Sequence, residues 1–235
     1  MILPCYLAMT SAEFDAAAQL PEKLAWMACH FSCYSTGLSN LPRNLPPKNM
    51  LIVNDRTPVF GHDPSRIAQQ LQQLVETFKV ERVLLDLQRQ ESKEAARIAD
   101  VIINALPCPT GATAPYAKDL DCPVFLPPPP LHIPLEEYLS HWKGREIWLE
   151  LMPDKEELII TQDGCQIRQP DCIDVTSPIH WHEDLCCQYQ IQVFDDSAIF
   201  TLERTVSQLD DFLGQAKNLG VTCAVGLYQE LKLPE

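Results

Sequence analysis

Asp86 and Gln88 stand two residues apart at the end of the apolar run Val83–Gln88. If this run is a strand, its side chains alternate between two faces, and Leu84, Asp86 and Gln88 point to the same side. A carboxylate buried at a strand end is costly unless it is paired or used. The run therefore predicts a functional site at this strand end. The alternative is a structural Asp86 bonded to the backbone and a surface Gln88 followed by Arg89.

Other polar or aromatic side chains stand at or near the ends of the remaining strand-like segments. Parallel barrels build their active sites at the carboxyl ends of their strands, so these residues are candidates for the same site. Glu150 and Glu230 are candidate catalytic acids, and a salt-bridged rim position is the alternative for each. The candidates for substrate contacts are Tyr34, Asp55, Tyr116, Trp148 and Tyr228.

Histidine and cysteine residues give a weaker indication of a metal site. His180 and His182 precede Cys186 and Cys187 in the sequence. Zinc sites usually show closely spaced ligand pairs at a set distance from each other, and adjacent cysteines in an extended chain point apart. We therefore expect thiols and imidazoles without a metal or cofactor. Metal binding by His180, His182 and Cys186 is the alternative.

Eight apolar, strand-like segments recur along the chain, and amphipathic helical segments lie between them. The strand segments are Leu3–Met9, Ala28–Tyr34, Met50–Asp55, Val83–Gln88, Pro109–Tyr116, Val124–Pro127, Glu146–Leu151 and Thr222–Tyr228. Such alternation indicates a parallel sheet covered by helices. Eight strands favour an α/β fold of the (β/α)8 TIM-barrel type over an open doubly wound sheet.

A segment before the last strand breaks this alternation. Glu157–Arg168 is typical of a hairpin, and Cys187–Phe194 with Ala198–Leu202 is typical of a second antiparallel pair. The sequence therefore predicts one barrel domain over residues 1–235, with a small β-rich insertion at 152–203.

Composition and charge narrow the classes of partner. The 235 residues carry a formal net charge of −14, whereas binding to nucleic acid or an anionic membrane needs clustered Lys and Arg. The N-terminus lacks the pattern of a signal peptide, and no run approaches the roughly 20 apolar residues of a transmembrane helix. Ten cysteines without an export signal indicate reduced thiols. We predict a cytoplasmic protein that binds neither nucleic acid nor membrane, and its oligomeric state stays open.

Counted from Leu3–Met9, Val83–Gln88 is the fourth strand, and the insertion falls between the seventh and the eighth. In this plan the chain resembles glycoside hydrolase family 18, the chitinase-like barrels, which include bacterial enzymes acting on spore or cell-wall peptidoglycan. That family carries the motif D-G-x-D-x-D-x-E at the end of its fourth strand and often has an insertion before the eighth. The resemblance implies a (β/α)8 fold and a carbohydrate ligand.

Laid onto this motif, Glu81–Gln88 departs from the family at the residues that perform its chemistry. Asp86 matches the last aspartate, which orients the substrate acetamido group in a substrate-assisted mechanism. Gln88 replaces the general-acid glutamate, and Leu84 replaces the inner aspartate. A glutamine cannot give a proton to a leaving oxygen, although its amide can donate a hydrogen bond.

The resemblance and its departures together imply a glycosidase-like barrel that is catalytically impaired. It would bind an N-acetylated glycan or related carbohydrate, with Asp86 and Gln88 on the pocket floor. One alternative is an active glycoside hydrolase with a relocated acid, Glu150 or Glu230. Another is a protein-interaction or structural barrel without a small-molecule site, so whether the chain is an enzyme stays open.

Overall fold

Eight parallel strands close into a barrel in the computed structural model, which describes residues 3–89, 91–170 and 177–231. The strands, in chain order, are β1 (Cys5–Met9), β2 (Leu24–Phe31), β3 (Leu38–Ser39), β4 (Met50–Asn54), β5 (Arg82–Asp86), β6 (Thr110–Thr113), β7 (Val124–Leu126), β8 (Ile147–Leu151), β9 (Asp154–Thr161), β10 (Gly164–Arg168), β11 (His180–His182), β12 (Cys187–Val193), β13 (Ser197–Arg204) and β14 (Val221–Leu227). The barrel order is β1, β2, β4, β5, β6, β7, β8 and β14, and β1 closes the ring by pairing with both β2 and β14. The predicted (β/α)8 barrel is confirmed.

Helices connect most of the barrel strands. They are α1 (Ser11–Ala16), α2 (Pro64–Phe78), α3 (Lys93–Ala105), α4 (Ala114–Ala117), α5 (Leu135–Ser140), α6 (Leu209–Asn218) and α7 (Tyr228–Leu231). Side-chain caps define where several begin: the Asp63 carboxylate caps α2, the Ser92 hydroxyl caps α3, and Thr10 forms a capping box at α1. No helix in the described residues is long and apolar enough to cross a membrane.

Alternate residues of the strands fill the barrel interior. The most completely buried of them are Tyr6, Ala25, Met50, Leu84, Trp148 and Cys223, each at most 1% exposed. Gly111 on β6 makes room for the Trp148 ring, because a Cβ atom at this position would lie 2.7 Å from a ring carbon. The interior is therefore a packed core, as in other barrels of this type.

Several barrel strands end one or two residues earlier than the sequence predicted, β5 at Asp86 among them, and two end three residues earlier. The second strand, β2, ends before Tyr34, because the Ser32 hydroxyl accepts the backbone N–H of Tyr34 and turns the chain. The fifth barrel strand, β6, ends before Tyr116, because Pro115 has no N–H for a neighbouring strand and instead suits the first turn of α4. Tyr34 and Tyr116 are thereby carried off the strand ends.

The residues between β8 and α6 form a second sheet, which confirms the predicted β-rich insertion before the last strand. Its five antiparallel strands lie in the order β10-β9-β13-β12-β11. The two predicted pairs are β9 with β10 and β12 with β13. The structure adds β11 and the pairing of β9 with β13, which joins both pairs into one sheet.

Candidate functional site

The barrel mouth, at the carboxyl ends of the strands, holds a cavity of about 60 Å³. Four polar side chains line it: Asn54 at the end of β4, Asp86 and Gln88 at the end of β5, and Glu150 on β8. The other lining residues are Ala8, Met27, Ile52, Leu84, Phe125, Val225, Gly226 and Leu227. Three of the four predicted catalytic residues thus surround one small, largely apolar cavity.

Gln88 bonds directly to Asp86 at this mouth. Its Nε2 donates to Oδ1 of Asp86 at 2.9 Å. Burial raises the pKa of Asp86, the hydrogen bond from Gln88 opposes that rise, and the nearby charge of Asp55 adds to it. The two side chains therefore lie on the same side of the strand end, and the amide occupies one oxygen of the carboxylate.

Asp55 holds the loop that carries Gln88 and lies outside the cavity lining. Its carboxylate accepts the backbone N–H groups of Gln88 at 3.1 Å and of Arg89 at 2.8 Å. In return, the Arg89 guanidinium donates to the carbonyl oxygens of Asp55 at 2.7 Å and of Arg56 at 2.6 Å. Because Asp55 is 6% exposed, these charge-assisted bonds fix the backbone just after β5.

Glu150 lines the same cavity from β8, which β6 and β7 separate from β5 in the barrel wall. Burial raises its pKa, and the negative charges of Asp86 and Glu230 raise it further. Glu230 belongs to the short helix α7 and lies outside the cavity lining. A carboxyl group that keeps its proton to a higher pH than usual has one property that a general acid needs.

The remaining predicted substrate contacts lie away from this cavity. Tyr34 stands on the loop after β2 with 97% of its surface exposed, and Tyr228 borders a different surface depression beside the loop between α1 and β2. Tyr116 is buried in α4 and lines a pocket between α3 and α4. Trp148 is buried inside the barrel, where its Nε1 donates to Oε1 of Glu146 at 3.0 Å.

Three apolar side chains that narrow the cavity, Met27, Phe125 and Leu227, were not among the predicted site residues. Each of them takes an inward position in its strand. The sequence signal for such positions is the two-residue alternation, but the alternation becomes informative only when the register of the closed barrel is known. Asn54 is fixed beside them, because its Nδ2 donates to the carbonyl oxygen of Met27 at 2.9 Å.

No group of three or more His, Cys, Asp or Glu side chains is placed to hold a metal ion in the part of the chain that the structure describes. His180 and His182 lie on β11, with ring centroids 5.3 Å and 6.3 Å from that of Tyr189. Cys186 is buried before β12, and burial raises the pKa of its thiol. The two histidines therefore take part in aromatic packing on the insertion sheet.

The sequence matches no protein-family model, and it matches no curated protein. The fold, in contrast, is similar to several solved structures. The chain aligns over 99% of its length with 71% of the spore cortex-lytic enzyme SleL of Bacillus cereus, at 10% identity and a TM-score of 0.57.

A glycoside hydrolase family 18 N-acetylglucosaminidase from Paenibacillus barengoltzii is similar at 9% identity, covering 97% of each chain with a TM-score of 0.58. A chitinase-like agglutinin from Robinia pseudoacacia is similar at 12% identity, covering 97% of this chain and 95% of that one with a TM-score of 0.58. The resemblance inferred from the strand count is thereby confirmed at the level of the fold. The chain has the fold of the chitinase-like (β/α)8 barrels of glycoside hydrolase family 18.

Proposed function

We propose that the chain is a chitinase-like barrel that does not hydrolyse glycosides and that binds an N-acetylated glycan at the mouth cavity. The observation that carries the first half is the hydrogen bond between Gln88 and Asp86. The residue at the position of the family's general acid is an amide, which has no proton to transfer to a leaving oxygen. Its donated bond occupies one oxygen of the Asp86 carboxylate, and the second oxygen can still accept a hydrogen bond from a ligand.

The size of the cavity supports the choice of ligand group. Its 60 Å³ is several times the roughly 10–15 Å³ that a single water needs, and far below the roughly 300 Å³ of a typical ligand pocket. This space suits a group of a few heavy atoms, such as the four of an acetamido group, better than a whole sugar ring. Asp86 can accept the acetamido N–H, and the apolar wall around Leu84 suits its methyl group. The sugar ring itself would stay above the mouth.

Calorimetric titration with N-acetylglucosamine oligomers tests this proposal. Glucose oligomers of the same length are the matched ligand, since they are neutral and lack the acetamido group. We expect binding of the N-acetylated series only, weakened at least about tenfold in Asp86→Asn. Asp119→Asn, at an exposed position, is the control variant. Equal binding of both series, or no binding of either, would contradict the proposal.

Glu150 supports a second candidate function, hydrolysis with a relocated acid. It lines the cavity together with Asp86, and its pKa is raised by burial and by neighbouring carboxylates. Turnover of a fluorogenic aryl N-acetylglucosaminide that is lost in Glu150→Gln and retained in Glu230→Gln would establish this role for Glu150. The reverse pattern would assign the acid to Glu230. Absence of turnover by the wild type would exclude both forms.

The cavity volume also supports a third candidate, a barrel that binds proteins and no small molecule. Ligand pockets usually enclose about 300 Å³ or more, and this cavity is far smaller. A Gln88→Glu variant distinguishes the small cavity from the missing general acid as the cause of inactivity. It restores the carboxyl group and leaves the cavity volume small. We expect it to show no turnover. Hydrolysis by this variant would show that the mouth admits a sugar and that only the acid was missing.

A reducing, cytoplasmic location also belongs to the proposal. Its support is that nine cysteines among the described residues are free thiols. Thiol labelling in freshly lysed cells should modify the exposed Cys33 and Cys165 without prior reduction. Labelling that requires a reductant would contradict this location.

A further inference from the structure

The insertion sheet has one face built from apolar side chains, which we call the apolar face. The strand registers place Leu158 opposite Phe200 and Phe200 opposite Ile191, so these side chains share a face. The same registers add further members. The apolar face comprises Leu158, Ile160, Ile167, Tyr189, Ile191, Val193, Phe200 and Leu202.

Within the part of the chain that the structure describes, only part of this face is covered by other residues. Leu131, from the loop after β7, packs with Cys187 and Leu202 at one end of the sheet. Beyond that contact the described residues leave the face open, with 43% of Ile160 and 77% of Val193 exposed. A groove of about 300 Å³ runs along it. This volume reaches the range of ligand-binding pockets, and apolar surface left open in this way marks interaction sites.

The opposite face of the sheet is polar and carries cations that are already paired. Arg168 Nε contacts Glu157 at 2.7 Å, and Lys155 Nζ contacts Glu203 at 2.5 Å. On the apolar face, Arg204 is 2% exposed, and its guanidinium donates to the carbonyl oxygens of Cys186 and Leu185. The Lys and Arg side chains of the insertion sheet are thus unavailable to a ligand on the apolar face, and the basic side chains that line its groove are two histidines, His132 and His182.

Exposed carboxylates flank the apolar face at both ends. Asp163 lies in the turn after β9, and Asp195 and Asp196 lie in the turn after β12, at one end of the sheet. Glu183 and Asp184 lie in the turn before β12, at the other end. The seven residues of β12 separate the two groups by about 20 Å.

We propose that the apolar face docks a segment of another protein that is apolar in its middle and carries Lys or Arg near both ends. The apolar middle would fill the groove, and the basic ends would meet the two groups of carboxylates. A second copy of this chain fits less well, because its own acidic ends and its net charge of −14 would repel those of the first. The proposal is independent of the glycan site, since it uses none of the residues at the barrel mouth.

Selection from a display library of random peptides of about ten residues tests the proposal without assuming a sequence. Such a peptide, when extended, is long enough to span the face, at about 33 Å. The immobilised target is the full chain. We expect the enriched peptides to have an apolar centre and basic ends, and to bind less tightly as the salt concentration rises.

A matched pair of variants then locates the binding site. Ile160→Lys places a charge in the groove, whereas Gln166→Lys places the same charge on the opposite face of the neighbouring strand. We expect the first to weaken peptide binding at least about tenfold and the second to change it less than about twofold. Circular dichroism checks that both variants fold.

Three results would overturn the proposal. The first is a library that yields no binder, or only acidic ones. The second is a set of peptides whose binding Ile160→Lys leaves unchanged or Gln166→Lys weakens equally. The third is a wild type that sediments as a dimer and becomes monomeric in Ile160→Lys, which would assign the face to a second copy.

Discussion

The Asp55 carboxylate clamps the loop after β5 through two hydrogen bonds, and the structure sets how much stability this clamp contributes. Asp55→Ala removes the carboxylate that accepts the N–H groups of Gln88 and Arg89 at 3.1 Å and 2.8 Å. A hydrogen bond to a charged group contributes about 1.5–3 kcal/mol. Gln88 and Arg89 are exposed, so water can replace part of each bond, and we use the lower value for both. The expected loss in free energy of unfolding is about 3 kcal/mol.

Thermal unfolding followed by circular dichroism measures this loss. With 235 residues and an unfolding entropy of about 2.1 cal/mol/K per residue, a loss of 3 kcal/mol lowers the Tm by about 6 °C. Asp55→Asn keeps one oxygen as an acceptor, so we expect about half of this effect. The control is Asp15→Ala, at an exposed position on α1, which should change stability by less than about 0.5 kcal/mol.

Asp55 does not hold this loop in place if Asp55→Ala costs less than about 1 kcal/mol of unfolding free energy, or if the Asp15→Ala control costs as much as Asp55→Ala. In the first case, solvent would be replacing both bonds, and Gln88 would not depend on Asp55 for its position. In the second, the loss would reflect a general effect of removing negative charge. Either outcome would also remove the reason why Gln88 stays bonded to Asp86.

Two further predictions concern the barrel interior and the mouth. Gly111→Ala should destabilise the protein by about 1–3 kcal/mol, because the new Cβ would lie 2.7 Å from the Trp148 ring. Gly214→Ala on helix α6 has nothing within 4 Å of its new Cβ and should stabilise the protein by about 0.4–1 kcal/mol. Urea denaturation measures both free energies of unfolding, and equal changes in the two variants would show that contact with Trp148 does not matter. Burial raises the pKa of Glu150, and the charges of Asp86 and Glu230 raise it further. Above about pH 4.3, the unfolded chain has released the proton of Glu150, whereas the folded protein still holds it. Stability should therefore fall relative to that of Glu150→Gln as the pH rises from 4 towards 7, and parallel pH profiles of the two proteins would contradict this.

The fold and part of the candidate site were predictable from the sequence, because both depend on strands and their ends. Alternation along the chain indicates the eight strands, and the carboxyl ends of parallel strands converge. Glu150 therefore meets Asp86 and Gln88 around one cavity although it lies far from them in the sequence. Tyr34 and Tyr116 lie away from the strand ends, because a bond from the Tyr34 N–H to the Ser32 hydroxyl ends one strand early and the missing N–H of Pro115 ends the other.

The features that sequence reasoning missed depend on contacts between distant segments. The role of Asp55 as a clamp requires the loops after β4 and β5 to lie side by side, and no local pattern reports this. The small volume of the cavity depends on how far Met27, Phe125 and Leu227 reach into the mouth. That reach is set by the register of the closed barrel, which a single sequence leaves undetermined.

The way in which the insertion sheet joins the barrel has a consequence for how such proteins diversify. It starts at Asp154 and ends at Arg204, and these two residues are direct partners in neighbouring antiparallel strands. Their Cα atoms therefore lie only about 5 Å apart. A module whose two attachment points are so close can be enlarged, exchanged or reduced to a short turn while β8 and β14 keep their places. Evolution can thus change what the sheet binds without rebuilding the barrel, and a protein engineer can graft a different sheet at the same two residues.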